Sequence, residues 1–212
     1  MSAVQKTVGA ALLLGAVSAC SATEEEVGRA VGFALATEVL RQTPAVQQRF
    51  DGTAAPTAAF ADVRNAGNVD YTGQIALYDD QRALLDAGMT ELVTPEIIGR
   101  MDISTNIGAT NGTFIGEGTN FTYADGEALT GDLALEDGTI SVFSIIGRGE
   151  VMTLEADLSG SLTDEDGSLP YNTGVGGNFA DAGESLILTG GTDGADNDGN
   201  SFATVIGAVR ND

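Results

Sequence analysis

The sequence predicts an all-β protein: an antiparallel up-and-down β-barrel of about eight strands, preceded by a short N-terminal helix. Apolar and polar residues alternate with period two along several stretches, as they do in strands with one buried and one wet face. Dipeptides suited to tight turns interrupt the strand pattern at Asn111-Gly112, Asp125-Gly126, Asp137-Gly138, Asp166-Gly167 and Asp198-Gly199, each offering a residue tolerant of positive φ. Glycine is abundant, 29 of 212 residues, and falls inside strands at Gly73, Gly131 and Gly160, where a strand wrapping a barrel must bend. Closure also removes the exposed edges that an open sandwich, the competing arrangement, would keep.

In chain order, residues 1–19 read as a lipoprotein signal peptide. Met1 to Lys6 carry one positive charge, and Val8 to Val17 form a short run of small and apolar residues. Val17-Ser18-Ala19 then precede Cys20, completing the charged, apolar and small-residue regions of a secretory signal. The apolar run is too short for a membrane-spanning helix. The tripeptide and cysteine look like a lipobox, so Cys20 is the expected lipidation site and the expected first residue of the mature chain. A thioether-linked diacylglycerol with an N-acyl chain would supply the multiple chains that stable anchoring needs. The competing reading is an ordinary secretory peptide cut near Ala19 or Ala22. By similarity to other lipoproteins, Ser21 after the cysteine favours the outer membrane.

Residues 20–67 comprise the anchor, a helix and a linker. Thr23-Glu24-Glu25-Glu26 has the form of a capping box, with acids in the first turn where the helix dipole favours them. Val27, Val31, Ala34, Leu35 and Val39 make a stripe at helical spacing, expected to pack on the domain rather than in a partner's groove. Arg41 sits in the last turn and Pro44 stops the helix. Residues 43 to 66 read as loop or short helix, rich in Ala, Thr, Pro and Gly.

The barrel is expected over residues 68–212. The clearest strands contain Val69, Tyr71, Gly73, Ile75 and Leu77; then Met101, Ile103, Thr105 and Ile107; then Leu154, Ala156, Leu158, Gly160 and Leu162. Weaker strands are expected at 114–122, 129–136, 140–146, 185–189 and 202–209. Residues 79–95, with Ala83-Leu84-Leu85, are expected to form a short helix or a lid over one mouth.

Composition narrows the function. Thirty-one acids face nine bases, a formal net charge of −22. Such a surface repels nucleic acid and anionic membrane, and suits solubility in salty surroundings or a basic partner. There is no histidine and Cys20 is the only cysteine, which removes histidine general bases, histidine-ligated metals and, once Cys20 is acylated, thiol chemistry. There is no tryptophan, so a carboxylate-pair glycosidase lacks the aromatic platforms usual for sugars. The chain is therefore expected not to be an enzyme and to carry no cofactor.

The candidate metal ligands are Asp193, Asp196 and Asp198. Asp196, Asp198 and Asn200 have the alternate spacing of a calcium loop, but Ser201 replaces the glycine at position 6 and no Glu stands at position 12. A hairpin turn accounts for this run better, and no metal is expected. Asp164-Glu165-Asp166-Gly167 is likewise read as a turn. Arg100 and Arg148 could face an anionic ligand; a lone arginine on a strand more often meets nearby acids. Asn111 and Asn120 open glycosylation-type triplets, expected to be unused.

Several segments, taken in order, resemble the transferrin-binding protein B-like surface lipoproteins of Gram-negative bacteria. Val69-Asp70-Tyr71-Thr72-Gly73 looks like that family's first barrel strand. Leu129 to Leu135 followed by Gly138-Thr139-Ile140-Ser141 looks like its hairpin, and Leu158-Ser159-Gly160-Ser161 like its next strand. Gly177-Asn178-Phe179 stands where the family has an aromatic turn motif, and Ile206-Gly207-Ala208-Val209-Arg210 is similar to its closing strand. The departures are Ala180-Asp181 after Phe179, in place of Tyr-Gly-Pro, and Val142 rather than Gly after Ser141. The resemblance implies a single barrel on a lipid anchor, displayed at the outer membrane, which binds a host or environmental protein or an iron- or haem-related ligand. No ligand-contacting residue carries over. The alternatives are an envelope lipoprotein with a structural or interaction role, and a lipocalin-like carrier with a ligand inside the barrel.

Overall fold

The computed structural model describes residues 24–50, 63–79, 92–145, 149–192 and 202–211. Helices α1 (Glu24–Gln42) and α2 (Pro44–Phe50) come first. The strands that follow are β1 (Gly67–Tyr78), β2 (Ile97–Ile107), β3 (Asn111–Tyr123), β4 (Thr130–Ile145), β5 (Gly149–Thr163), β6 (Ser168–Ala180), β7 (Ser185–Thr192) and β8 (Phe202–Arg210). Each pairs antiparallel with the next, and β8 returns to β1, so the sheet closes into an eight-stranded barrel.

Alternation along the strands sends one set of side chains into the barrel. Tyr71, Ile75, Met101, Ile103, Phe114, Phe121, Leu133, Leu135, Leu158 and Phe179 belong to one continuous buried cluster. Thr105 is a polar member of an inward-facing strand face, and its hydroxyl donates to the Val69 carbonyl at 2.9 Å, which removes the cost of burying it. The Tyr71 hydroxyl donates to the Gly183 carbonyl at 2.8 Å, in the short 3-10 turn Asp181–Gly183 that joins β6 to β7. Its ring lies 5.9 Å from that of Phe179. Burial pushes the Tyr71 phenol up to about 12, so it remains a neutral donor. Gly131 (φ 111°) and Gly160 (φ 141°) hold backbone conformations that side chains disfavour, at the strand positions where bending was expected.

A second core lies on the outside of the barrel. Ala76, Tyr78, Ala180, Ile187, Ala203 and Val205 are buried beneath Leu40, Ala45, Val46, Phe50 and Leu92. The helices therefore cover part of the outer wall, α2 over β6 to β8 and α1 over β8, β1, β2 and β3. Every residue of β8 from Phe202 to Ala208 is buried, because that strand is covered on both faces.

Four expectations are corrected. The first concerns the helix stripe. Val27, Val31, Leu35 and Val39 are exposed, and α1 instead packs through Phe33, Thr37 and Leu40. Two arginines set this rotation: Arg29 Nε donates to the Gly126 carbonyl at 2.6 Å and Arg41 donates to the Leu92 carbonyl at 3.2 Å. Apolar residues lie on both sides of α1, so its pattern alone does not name the inner face.

The second correction merges two strands. Residues 129–136 and 140–146 do not form a hairpin around Asp137-Gly138; they run through one strand, β4, with a bulge where the register shifts between Glu136 and Thr139. Asp137 has φ 52°, and a Cβ at Gly138 would collide with the Phe114 carbonyl. A dipeptide that permits a turn equally permits a bulge.

Third, β6 was not expected as a strand. It contains Pro170, Gly174, Gly176 and Gly177, which have low strand propensity. Pairing with β5 on one side and β7 on the other holds it. Fourth, Asn111-Gly112 opens β3 rather than forming a turn. The chain reverses just before it, where Gly108 N–H donates to the Asn111 carbonyl at 2.8 Å.

Leu154, Leu158 and Leu162 are fully buried, whereas Glu155 and Asp157 face solvent. Leu158→Asp should place an unpaired carboxylate in the barrel, costing several kcal/mol and lowering the melting temperature by about 10 °C or more. Asp157 stands directly opposite Glu136, and like charges in that position repel. Asp157→Asn should therefore leave the melt unchanged or raise it slightly. Thermal melts of both variants check the register of β5.

Candidate functional site

The strand directions bring the end of β1, the start of β2, and the ends of β3 and β5 to one mouth of the barrel, together with the starts of β6 and β8. Phenols and carboxylates gather there. The Tyr123 hydroxyl donates to Asp164 Oδ2 at 2.8 Å. Asp164 Oδ1 accepts the backbone N–H groups of Asp166 and Gly167, each at 2.9 Å. This is the turn expected at Asp164–Gly167, stabilised by the aspartate's own side chain. The bond from Tyr123 is the main cause holding the Asp164 carboxyl below its usual range. Burial, then Asp164, pushes the Tyr123 phenol up.

Tyr171 packs edge-on against Phe202, with ring centroids 5.0 Å apart. Its phenol is pushed up by burial first, and then by the charges of Asp79, Glu96 and Asp164. Glu96 has lost part of its hydration and shares a hydrogen bond with Asp79; together these push its carboxyl up to about 7. The rim is thus a ring of acceptors and neutral donors with one carboxyl that titrates near neutrality. Among the described residues no group of three acids is placed to hold a metal ion.

A second feature is an open groove of about 550 Å³ on the outer wall. Ile115, Leu133, Ala134 and the acids Asp102, Glu117 and Asp132 line it. Gly116 and Gly160 also line it through their backbone. Asp102 stands directly opposite Glu117, as Glu136 does Asp157. The wall therefore carries like charges face to face, which stabilises nothing within the sheet.

The third feature is a projecting ribbon. The pairing of β3 with β4 begins at Asn111 opposite Ser141, and that of β5 with β6 at Leu154 opposite Gly177. Beyond these points β4 and β5 pair only with each other, from Val142 opposite Met152 to Ile145 opposite Gly149. Both outer edges of this ribbon lack a strand neighbour among the described residues. Phe143, on the ribbon, is 52% exposed. An apolar side chain on a free edge is poised to meet another protein.

The sequence-derived candidates fall as follows. Cys20, Asp193, Asp196, Asp198 and Arg148 lie outside the described residues, as does most of the stretch expected as a lid. Arg100 meets Asp102 through Nε at 2.9 Å, and the Thr72 hydroxyl donates to the same carboxylate at 2.8 Å. It is a surface ion pair, and Asp102 is held below its ordinary range mainly by Arg100. Sequence reasoning did not single out Tyr123, Tyr171, Glu96 or Phe143. Counting residues outward from successive turns would have put the first three at one mouth; Phe143 required knowing where the neighbouring strands stop.

Comparison with protein-family models, with curated proteins and with solved structures finds no match to this chain. Among the described residues no helix is long and apolar enough to cross a membrane.

Glu96 gives a pH prediction. A carboxyl whose pKa is higher in the folded than in the unfolded chain binds more protons when folded, so stability falls as pH rises across that interval. The interval runs from 4.5 to about 7. Glu96→Gln should flatten the stability curve there and raise stability at pH 8. The exposure of Glu96 keeps the change modest. Urea melts of both proteins at pH 4.5, 6 and 8 check it.

Proposed function

We propose that the chain is a lipid-anchored, outer-membrane lipoprotein whose barrel captures a protein ligand, in the manner suggested by its resemblance to the transferrin-binding protein B-like lipoproteins. The observation that carries this reading is the pairing of a barrel packed with its own side chains and a β4–β5 extension, open at both edges, that exposes Phe143. Tyr71, Phe114, Phe121 and Phe179, among the largest inward side chains, are fully buried against their neighbours. Such packing favours recognition by the outer surface over a lipocalin-like carrier with its ligand inside. Phe143 on the β4–β5 ribbon, with both ribbon edges open, supports a protein as that ligand. The acid-lined groove between β2 and β5 favours a partner with basic residues.

The anchor is Cys20, on the strength of the lipobox and of its being the chain's only cysteine. In cells fed an alkyne-tagged palmitate, the wild-type protein should take up label and Cys20→Ala should take up none. Equal absence of label from both would remove the anchor. For ligand capture, the purified protein should enrich a discrete partner from its natural surroundings. Phe143→Ser should weaken that capture about tenfold or more while the thermal melt stays within a few degrees of wild type. Capture that is indifferent to Phe143 would take the ribbon out of the binding surface.

A further inference from the structure

Between α1 and the wall of β1, β2 and β3 lies a cleft of about 540 Å³, within the range of small-molecule sites, roughly 300–1,000 Å³. Phe33, Ala36 and Ile98 give it an apolar lining, and Gln74, Asn120 and Thr122 a polar one. Gly28 and Gly32 line its helix side, and nothing stands within 4 Å of where their Cβ atoms would be. Glycine inside a helix costs stability relative to alanine, and no close contact requires it at either position. The two glycines keep the cleft open.

The charges here differ from those of the outer-wall groove. That groove is lined by Asp102, Glu117 and Asp132 and by no arginine. The cleft is lined by Arg29, Arg100 and a single acid, Glu25, in a chain of nine bases and thirty-one acids. Both guanidinium groups are fixed in place. Arg29 donates to the Gly126 carbonyl at 2.6 Å and to Glu25 Oε1 at 2.8 Å. Arg100 donates to the two carboxylate oxygens of Asp102, at 2.9 and 3.0 Å. These partners leave each guanidinium with N–H donors to spare.

We propose that this cleft binds a small monocarboxylate with an amide and an apolar body, of the form of an acylated amino acid. Guanidinium groups held in a fixed orientation suit a planar carboxylate. The formal net charge of −22 penalises a doubly charged phosphate more than a singly charged carboxylate. Phe33, Ala36 and Ile98 would receive the apolar body, and the side-chain amides of Gln74 and Asn120 would pair with the ligand's amide. The wall is irregular at this place: β2 and β3 lose register between Ile98 and Arg100, and Asn120 holds φ 56°. Bulges re-aim side chains, and here Arg100 and Asn120, on the two strands, line the same cleft.

The cleft uses the start of β2 and the end of β3, toward the mouth that bears Asp164 and Glu96. The β4–β5 ribbon stands at the opposite end of the barrel. Ligand binding in the cleft therefore depends neither on capture by the ribbon nor on acylation of Cys20.

The test is isothermal titration calorimetry of the full-length protein with N-acetyl-L-leucine at pH 7. Binding should saturate in about the millimolar range or below. N-acetyl-L-leucinamide, which lacks the carboxylate, should bind about tenfold or more weakly. Arg100→Gln should weaken N-acetyl-L-leucine about tenfold or more, with the thermal melt little changed because its ion pair is exposed. Gly28→Leu combined with Gly32→Leu should remove binding and leave the melt no lower than wild type, because leucine is the better helix former. Arg49→Gln removes an equal charge outside the cleft and should leave the affinity within about twofold of wild type. Absence of saturable binding overturns the proposal. So does binding that survives Arg100→Gln or the paired leucines, and so does an equal loss from Arg49→Gln. Equal affinity for the leucinamide, or for inorganic phosphate, removes the selectivity for a carboxylate with an apolar body and also overturns it.

Discussion

The seam between β1 and β8 runs from Tyr71 opposite Arg210 to Tyr78 opposite Ala203, and the remaining structure depends on it. Without the seam, both strands would be free edges exposing unpaired N–H and C=O groups. With it, every inward residue acquires neighbours on both sides and the packed cluster becomes continuous. The seam needs close backbone approach. A Cβ at Gly73 would collide with the Gly207 carbonyl, so these small residues are what let the first and last strands meet. Gly207 serves a second purpose, because its bare outer side receives Leu40 of α1 and Val46 of α2. Closure and helix docking are therefore one packing problem, solved by the same pair of glycines.

Charge is distributed around that frame. α2 covers the wall of β6 to β8 and α1 that of β8 to β3 near one mouth, shielding the apolar outer face there. The wall of β4 and β5, and the stretches of β2 and β3 beyond α1, stay wet and carry acids, some of them directly opposite one another. The mouth near Asp164 and Glu96 adds further acids, held by tyrosine hydroxyls and turn N–H groups rather than by cations. Three of the described arginines pair with acids: Arg29 with Glu25, Arg100 with Asp102, and Arg210 with Glu184. These are exposed pairs and contribute little to stability. The fold rests on burial and on the closed ladder of hydrogen bonds, and its acidic exterior is left to solvent.

Much of this was legible in the residues. Period-two alternation located β1, β2 and β5 and assigned their faces, because a half-buried strand must alternate. The turn at Asp164–Gly167 was legible too, since an aspartate placed there can cap its own turn. The strand count of about eight was reached with one strand split and another absent. Asp137-Gly138 looks the same whether it turns the chain or bulges within a strand; only the presence of β3 and β5 alongside decided. The glycines and Pro170 of β6 hide a strand whose pairing comes from both neighbours rather than from its own propensity.

By itself the sequence determined the closed antiparallel barrel and the helix ending before Pro44, and it supplied the lipobox-like tripeptide before Cys20 on which the anchoring proposal stands. Each follows from short-range chemistry: alternation, turn and cap residues, and a linear motif. Only the tertiary structure decided which side of α1 faces the barrel, where the β4–β5 ribbon outruns its neighbours, and which carboxyls meet which phenols at the mouth. Those outcomes depend on contacts between residues far apart in the chain. Arg29 reaching Gly126 turns four apolar side chains outward, and no local pattern in the helix carries that information.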